Sequence, residues 1–120
     1  MNAFTKLVYG VLGAIALAAG IVALFMPEIA LPPAMTMPMA RHLVREQASA
    51  FVFIGLMFFW CLTHYAQRRP VHWALLIFVT IFAGVHWLDY VAGRSGPFYP
   101  LINTIPVALI ALTAPWTRLS

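Results

Sequence analysis

Four long apolar runs, each free of Asp, Glu, Lys and Arg, dominate the chain: Leu7–Met26, Gln47–Gln67, Val71–Leu88 and Phe98–Trp116. Each is close to the ~20 residues that a helix needs to cross about 30 Å of hydrocarbon. None alternates polar and apolar positions as the strands of a membrane barrel would. An open sheet is excluded as well, because lipid offers its backbone groups no partner. The pattern therefore predicts an all-α chain, an integral membrane four-helix bundle forming a single domain over 1–120. The expected spans are about 5–26, 46–67, 70–90 and 98–116, with an outer loop at 27–43.

Residue types within the runs refine this picture. Helix one carries small residues at close spacing, with Gly10, Ala14 and Ala18 at every fourth position, Ala16 and Gly20 likewise, and Gly13 between them. Such faces let helix backbones approach closely where lipid supplies no hydrophobic drive, so helix one is expected to pack on two sides. Helix two is bulky instead, with Phe51, Phe53, Phe58, Phe59 and Trp60 available to fill the bundle or to face lipid or a partner. Pro106 lies inside helix four, where it removes one backbone bond and crowds the Ile102 carbonyl, predicting a kink. Asn103 and Thr104 stand nearby to satisfy freed backbone groups. Pro97 and Pro100 mark that helix's start. The 27–43 connection has four prolines, three methionines and no glycine, which suits a segment lying along the interface.

Composition makes lipid the solvent. The chain is 63% hydrophobic and 8% charged, against roughly a quarter charged in a soluble domain. Its net charge of +4 comes from basic residues spread over the span flanks, so no basic patch forms and nucleic acid is excluded as a partner. Lys6, Arg68, Arg69 and Arg118 fall on one side, with no acid among them. Arg41, Arg45 and Arg94 fall on the other with Glu28, Glu46 and Asp89. The basic bias and the Gln67-Arg68-Arg69-Pro70 turn predict a multi-pass protein with both termini in the cytoplasm. Aromatic belts fit that layout, with Tyr9, Tyr65, Trp73 and Trp116 at the inner interface and Trp87, Tyr90 and Tyr99 at the outer one. The first run resembles a signal peptide but is longer than a usual apolar core, and it is read as a retained span. Cys61, the lone cysteine, is expected to pack as a small hydrophobe.

Two constellations carry candidate chemistry. His42 and Glu46 are four apart, and His86 and Asp89 are three apart, so each pair shares a helix face near the outer side. Arg45 and Arg94 stand close enough to compete for the carboxylates. One reading is a structural polar cluster of Arg45, Glu46, His86, Asp89 and Arg94 that clasps helices two and three. The other is a metal or proton site built from His42, Glu46, His86 and Asp89. The second constellation is Met35, Met37 and Met39 before His42, where thioethers alternating along an extended strand would suit copper(I). His86 is also a candidate haem or pigment ligand, whereas His64 and His72 flank the inner turn without an assigned role. No cofactor is required by any motif. The chain contains no nucleotide loop, CxxCH, HExxH or nucleophile elbow, so nothing points to hydrolase or transferase chemistry.

The layout resembles small four-helix bacterial membrane proteins of the DoxX-like type and related families of unknown function. The likeness rests on a Gly/Ala-rich first helix ending in Phe25-Met26-Pro27-Glu28, on Arg45-Glu46 opening the second, and on the Arg68-Arg69-Pro70 turn. It extends to the polar end of helix three, from Asp89 to Gly96. Related families often keep a charge in helix four, where this chain offers Asn103. The resemblance implies a fold and a membrane location and brings no activity. The expected role is a non-catalytic accessory or structural subunit, surrounded by membrane lipids and packed against another membrane protein or a larger membrane complex. The alternative is a protein that binds or transports a metal ion, a proton or a small lipophile. A lipid-modifying enzyme using Glu46 and His86 as acid and base is the third class.

Overall fold

The computed structural model describes residues 2–115, which fold into four helices: α1 (Ala3–Phe25), α2 (Pro38–Thr63), α3 (Arg69–Val91) and α4 (Phe98–Leu112). Two short 3₁₀ turns, Pro27–Ala30 and Tyr65–Gln67, lie in the first two connections. Trp116 and Arg118, assigned above to the inner side, lie outside the described residues. Local chemistry sets the boundaries. Asn2 caps α1 by accepting from the Thr5 N–H through Oδ1 at 2.7 Å. Prolines at the first turns of α2 and α3 cost no helical hydrogen bond, since those N–H groups have no partner in any case.

α1, α2 and α3 are long and apolar enough to cross a membrane. Large apolar side chains such as Leu7, Phe25, Ile77, Ile81 and Val91 point outward along them, the inverse of a water-soluble pattern. α2 begins at Pro38, well before the expected start near 46, and ends at Thr63. Its 26 residues make about 39 Å, more than the hydrocarbon thickness, so one end must stand in the headgroup region. The polar turns holding Arg41, His42, Arg45 and Glu46 meet that requirement. α4 has 15 described helical residues, about 22 Å, and is shorter than the expected span. Pro106 lies within it without ending it.

The chain runs up and down as two hairpins within an envelope of 54 × 32 × 20 Å. α1 and α2 form the tight hairpin. A Cβ added to Gly20 would lie 2.8 Å from the Val52 nitrogen and 2.9 Å from the Ala48 carbonyl oxygen. One added to Gly55 would lie 2.8 Å from the Leu17 nitrogen and 2.9 Å from the Gly13 oxygen. The two backbones are thus in contact through Gly13, Gly20 and Gly55, a small-residue crossing of the kind that lipid-embedded helices use. Helix one makes one such close contact, through Gly13 and Gly20, while Gly10, Ala14 and Ala18 are left on a different face. α3 and α4 form the second hairpin, tied by the Trp87 Nε1–H donating to Thr104 Oγ1 at 2.9 Å. Contact between the hairpins is sparser. It includes Phe51 of α2, whose ring stands edge-on to Phe78 and Phe82 of α3 at 6.4 and 5.3 Å. The bulky face of helix two is therefore divided, with Phe51 and Phe58 turned inward and Phe53 outward.

Candidate functional site: a buried latch and an apolar cleft

The acid–histidine residues do not meet. His42 Nε2 pairs with Glu46 Oε1 at 3.1 Å within α2, and both side chains are exposed. Arg94 pairs with Asp89 at 3.0 Å, also exposed. His86 does not turn to Asp89. Its ring stacks with Tyr99 at 6.1 Å and meets Phe82 edge-on at 5.0 Å. Among the described residues, no hydrogen bond or ion pair joins the α2 pair to the α3 pair, and Arg45 makes no ion pair. No three His, Cys, Asp or Glu side chains among them stand together as metal ligands would. The clasp expected from Arg45, Glu46, His86, Asp89 and Arg94 is thus replaced by two local pairs. The second pair follows from its helix cap. Gly93 takes φ +73°, its N–H donates to the Tyr90 carbonyl at 3.0 Å, and the Arg94 N–H donates to the Asp89 carbonyl at 2.8 Å. This reversal, natural to glycine after a helix, folds Arg94 back over Asp89.

The methionines are also placed differently. Met35 lies in the loop, Met37 caps α2 and Met39 is within its first turn. The extended strand that would align three sulfurs ends at Met37. All three side chains are exposed.

The principal buried polar group lies at the opposite end, among residues that the sequence left to other roles. Tyr9 and His72 are both 0% exposed and Arg68 is 5% exposed. The Tyr9 hydroxyl bonds to His72 Nδ1 and accepts from Arg68 Nε–H at 3.0 Å. Arg68 also donates through Nη1 to the Tyr65 carbonyl at 3.4 Å, and its guanidinium carbon lies 3.8 Å from the Tyr65 ring centroid, a cation–π contact. A hydroxyl proton directed at Nδ1 would leave the His72 proton on Nε2. That Nε2 is buried without a hydrogen bond, beside the Ile110 backbone of α4. Tyr9 is therefore a core residue rather than an interfacial ring, and its hydroxyl is the hub of a latch joining α1, the α2–α3 turn and α3. The core under it includes Cys61, Phe58, Leu75 and Ile110.

Two features of this site were within reach of the sequence. Arg68 and His72 are one helical turn apart, and no acid is available at their end to neutralise the arginine. The partner Tyr9, 63 residues distant from His72, carries no local signal of the contact.

Beside the latch, a cleft of about 160 Å³ separates the hairpins. All four helices line it, chiefly through Phe51, Phe58, Phe78, Phe82, Asn103 and Pro106. Asn103 Nδ2 donates to the Tyr99 carbonyl at 2.8 Å and Thr104 Oγ1 donates to the Pro100 carbonyl at 2.7 Å. Neither reaches the Ile102 carbonyl that Pro106 deprives of its helical donor.

Compared with known proteins, the chain matches no family model, no curated protein and no solved structure.

Proposed function

We propose that this is a non-catalytic multi-pass protein of the bacterial inner membrane that serves as an accessory subunit, packing against a transmembrane helix of a larger complex. The observation that carries the proposal is the second small face of α1. Gly13 and Gly20 are used against α2, and Leu12, Ala16 and Ala19 turn to the cleft. Gly10, Ala14 and Ala18 lie on a third side, where Ala14 and Ala18 are exposed and a Cβ at Gly10 would meet nothing within 4 Å. Lipid-facing positions elsewhere on the helix hold Leu7, Ile15, Val22 and Phe25. A strip of small residues among them admits a helix backbone, which gains packing that fluid acyl chains do not supply. The resemblance of the layout to DoxX-like membrane proteins supports the location.

The orientation belongs to the same proposal. Lys6, Arg68 and Arg69 occupy the end with no acid, which favours termini in the cytoplasm. Labelling of single cysteines that placed Arg69 outside would reverse it. Purification in mild detergent is expected to retain one stoichiometric partner that Ala14→Leu releases while the chain stays folded. A wild-type chain that purifies alone from its own membrane would refute the role.

A further inference from the structure

The geometry points to the interhairpin cleft as a binding site for a small neutral aromatic alcohol or phenol. Volume sets the size: about 160 Å³ is close to the ~150 Å³ at which a dry apolar protein cavity takes up a benzene-sized guest. Ring chemistry sets the class. Phe51 already stands edge-on to Phe78 and Phe82, and a guest ring among these rings extends the same edge-to-face pattern, the geometry that aromatic quadrupoles favour. Phe58 supplies the fourth ring of the lining.

The polar group sets the substituent. Asn103 is the hydrogen-bonding side chain of the lining. Its Nδ2 gives one of its two N–H groups to the Tyr99 carbonyl, which fixes the amide orientation, since a carbonyl can pair only with a donor. Oδ1 remains as an acceptor beside the second N–H, and a hydroxyl, which both donates and accepts, is the small group that can meet either. No charged side chain lines the cleft, so an ion would enter without compensation for its desolvation. Entry is from the α1 flank, where Ile15 is 60% exposed and Ala19 is also exposed, so a guest dissolved in the bilayer need not cross water.

The test uses the full chain in lipid nanodiscs with 4-fluorophenol and fluorobenzene as probes, read by fluorine NMR against empty nanodiscs. Protein-dependent broadening is expected for both probes, with 4-fluorophenol bound about three- to tenfold more tightly, the range of one net hydrogen bond. Asn103→Leu is expected to remove the preference while retaining fluorobenzene. Ala19→Phe is expected to abolish binding of both by filling the cleft, with Ala16→Leu as a second filling variant and circular dichroism to verify the fold. Broadening no greater than in empty nanodiscs overturns the site. A preference for 4-fluorophenol that survives Asn103→Leu, or binding that survives both filling variants in folded protein, overturns it equally.

Discussion

Tyr9→Phe is the most informative single change in this molecule, because it deletes one oxygen atom from a ring that stays packed. Tyr9 is fully buried, and phenylalanine fills the same space against Phe58. The hydroxyl serves two groups at once, His72 Nδ1 and Arg68 Nε–H. Its loss leaves a buried cationic donor and a buried imidazole nitrogen without that partner. Stranding such groups costs about 1–3 kcal/mol in water-soluble proteins. Polar side-chain pairs measured within membranes average about 0.6 kcal/mol and reach about 1.7. The latch should lie towards the upper end, since one bond is charge-assisted and no Asp or Glu among the described residues lies near Arg68 to take over. A loss of about 1–2 kcal/mol, roughly a 5- to 30-fold shift in the unfolding equilibrium, is therefore expected in reversible unfolding by SDS in mixed micelles. The cycle of Tyr9→Phe, Arg68→Gln and the double variant should give a coupling of about 1 kcal/mol. A Tyr9→Phe protein within about 0.3 kcal/mol of wild type, or a coupling near zero within the usual additivity error, would show that the contacts carry no energy.

Glycine substitutions separate crossing from open space. Gly55→Ala puts a methyl against the α1 backbone and should cost about 1–3 kcal/mol in the same titration. Gly84→Ala meets nothing within 4 Å and should gain about 0.5–1 kcal/mol from helix propensity; reversal of the two signs would refute the packing. Gly93→Ala must hold φ +73° at a cost of about 1–2 kcal/mol, read as lost stability and as faster amide exchange at Arg94. Glu46→Gln removes an exposed pair with His42 and should change stability by at most about 0.5 kcal/mol. Met37→Leu should leave copper(I) affinity unchanged in a competition titration, since Met35, Met37 and Met39 share no strand; a tenfold loss would restore the copper reading.

The helices were legible because lipid removes alternatives. A backbone in hydrocarbon must bond to itself, so an apolar run of the right length admits one solution. The boundaries were less legible. Charge-free runs mark where hydrocarbon begins and ends, not where the helix does. Arg41, His42, Arg45 and Glu46 continue α2 into the headgroup region without breaking its hydrogen bonds. Pairings between helices were legible only where they were local. His42–Glu46 and Asp89–Arg94 follow from helical spacing and from a glycine cap. The contact of Tyr9 with His72 depends on how two hairpins meet, and no periodicity within either hairpin encodes that. Gly55 was hidden for a related reason, since a single glycine among aromatics reads as a gap until Leu17 is placed opposite it.

The positions of the charges then acquire a different meaning. All three acids, Glu28, Glu46 and Asp89, sit at one end, and two of them have exposed local partners, His42 for Glu46 and Arg94 for Asp89. Surface pairs of this kind contribute little, because solvent already stabilises each charge. At the other end Arg68 is buried, and no acid among the described residues pairs with it. It is held by one hydroxyl, one carbonyl and the face of one ring. A cation in that setting is stable only while those neutral groups stay in register. Tyr9 belongs to the first hairpin, Tyr65 and Arg68 to the turn between hairpins, and His72 to the second. Separating the hairpins at this end would strand the charge, whereas separating them at the acidic end would disturb no polar contact found among the described residues. The fold is therefore locked at the basic end, and any widening of the cleft must come from the acidic end.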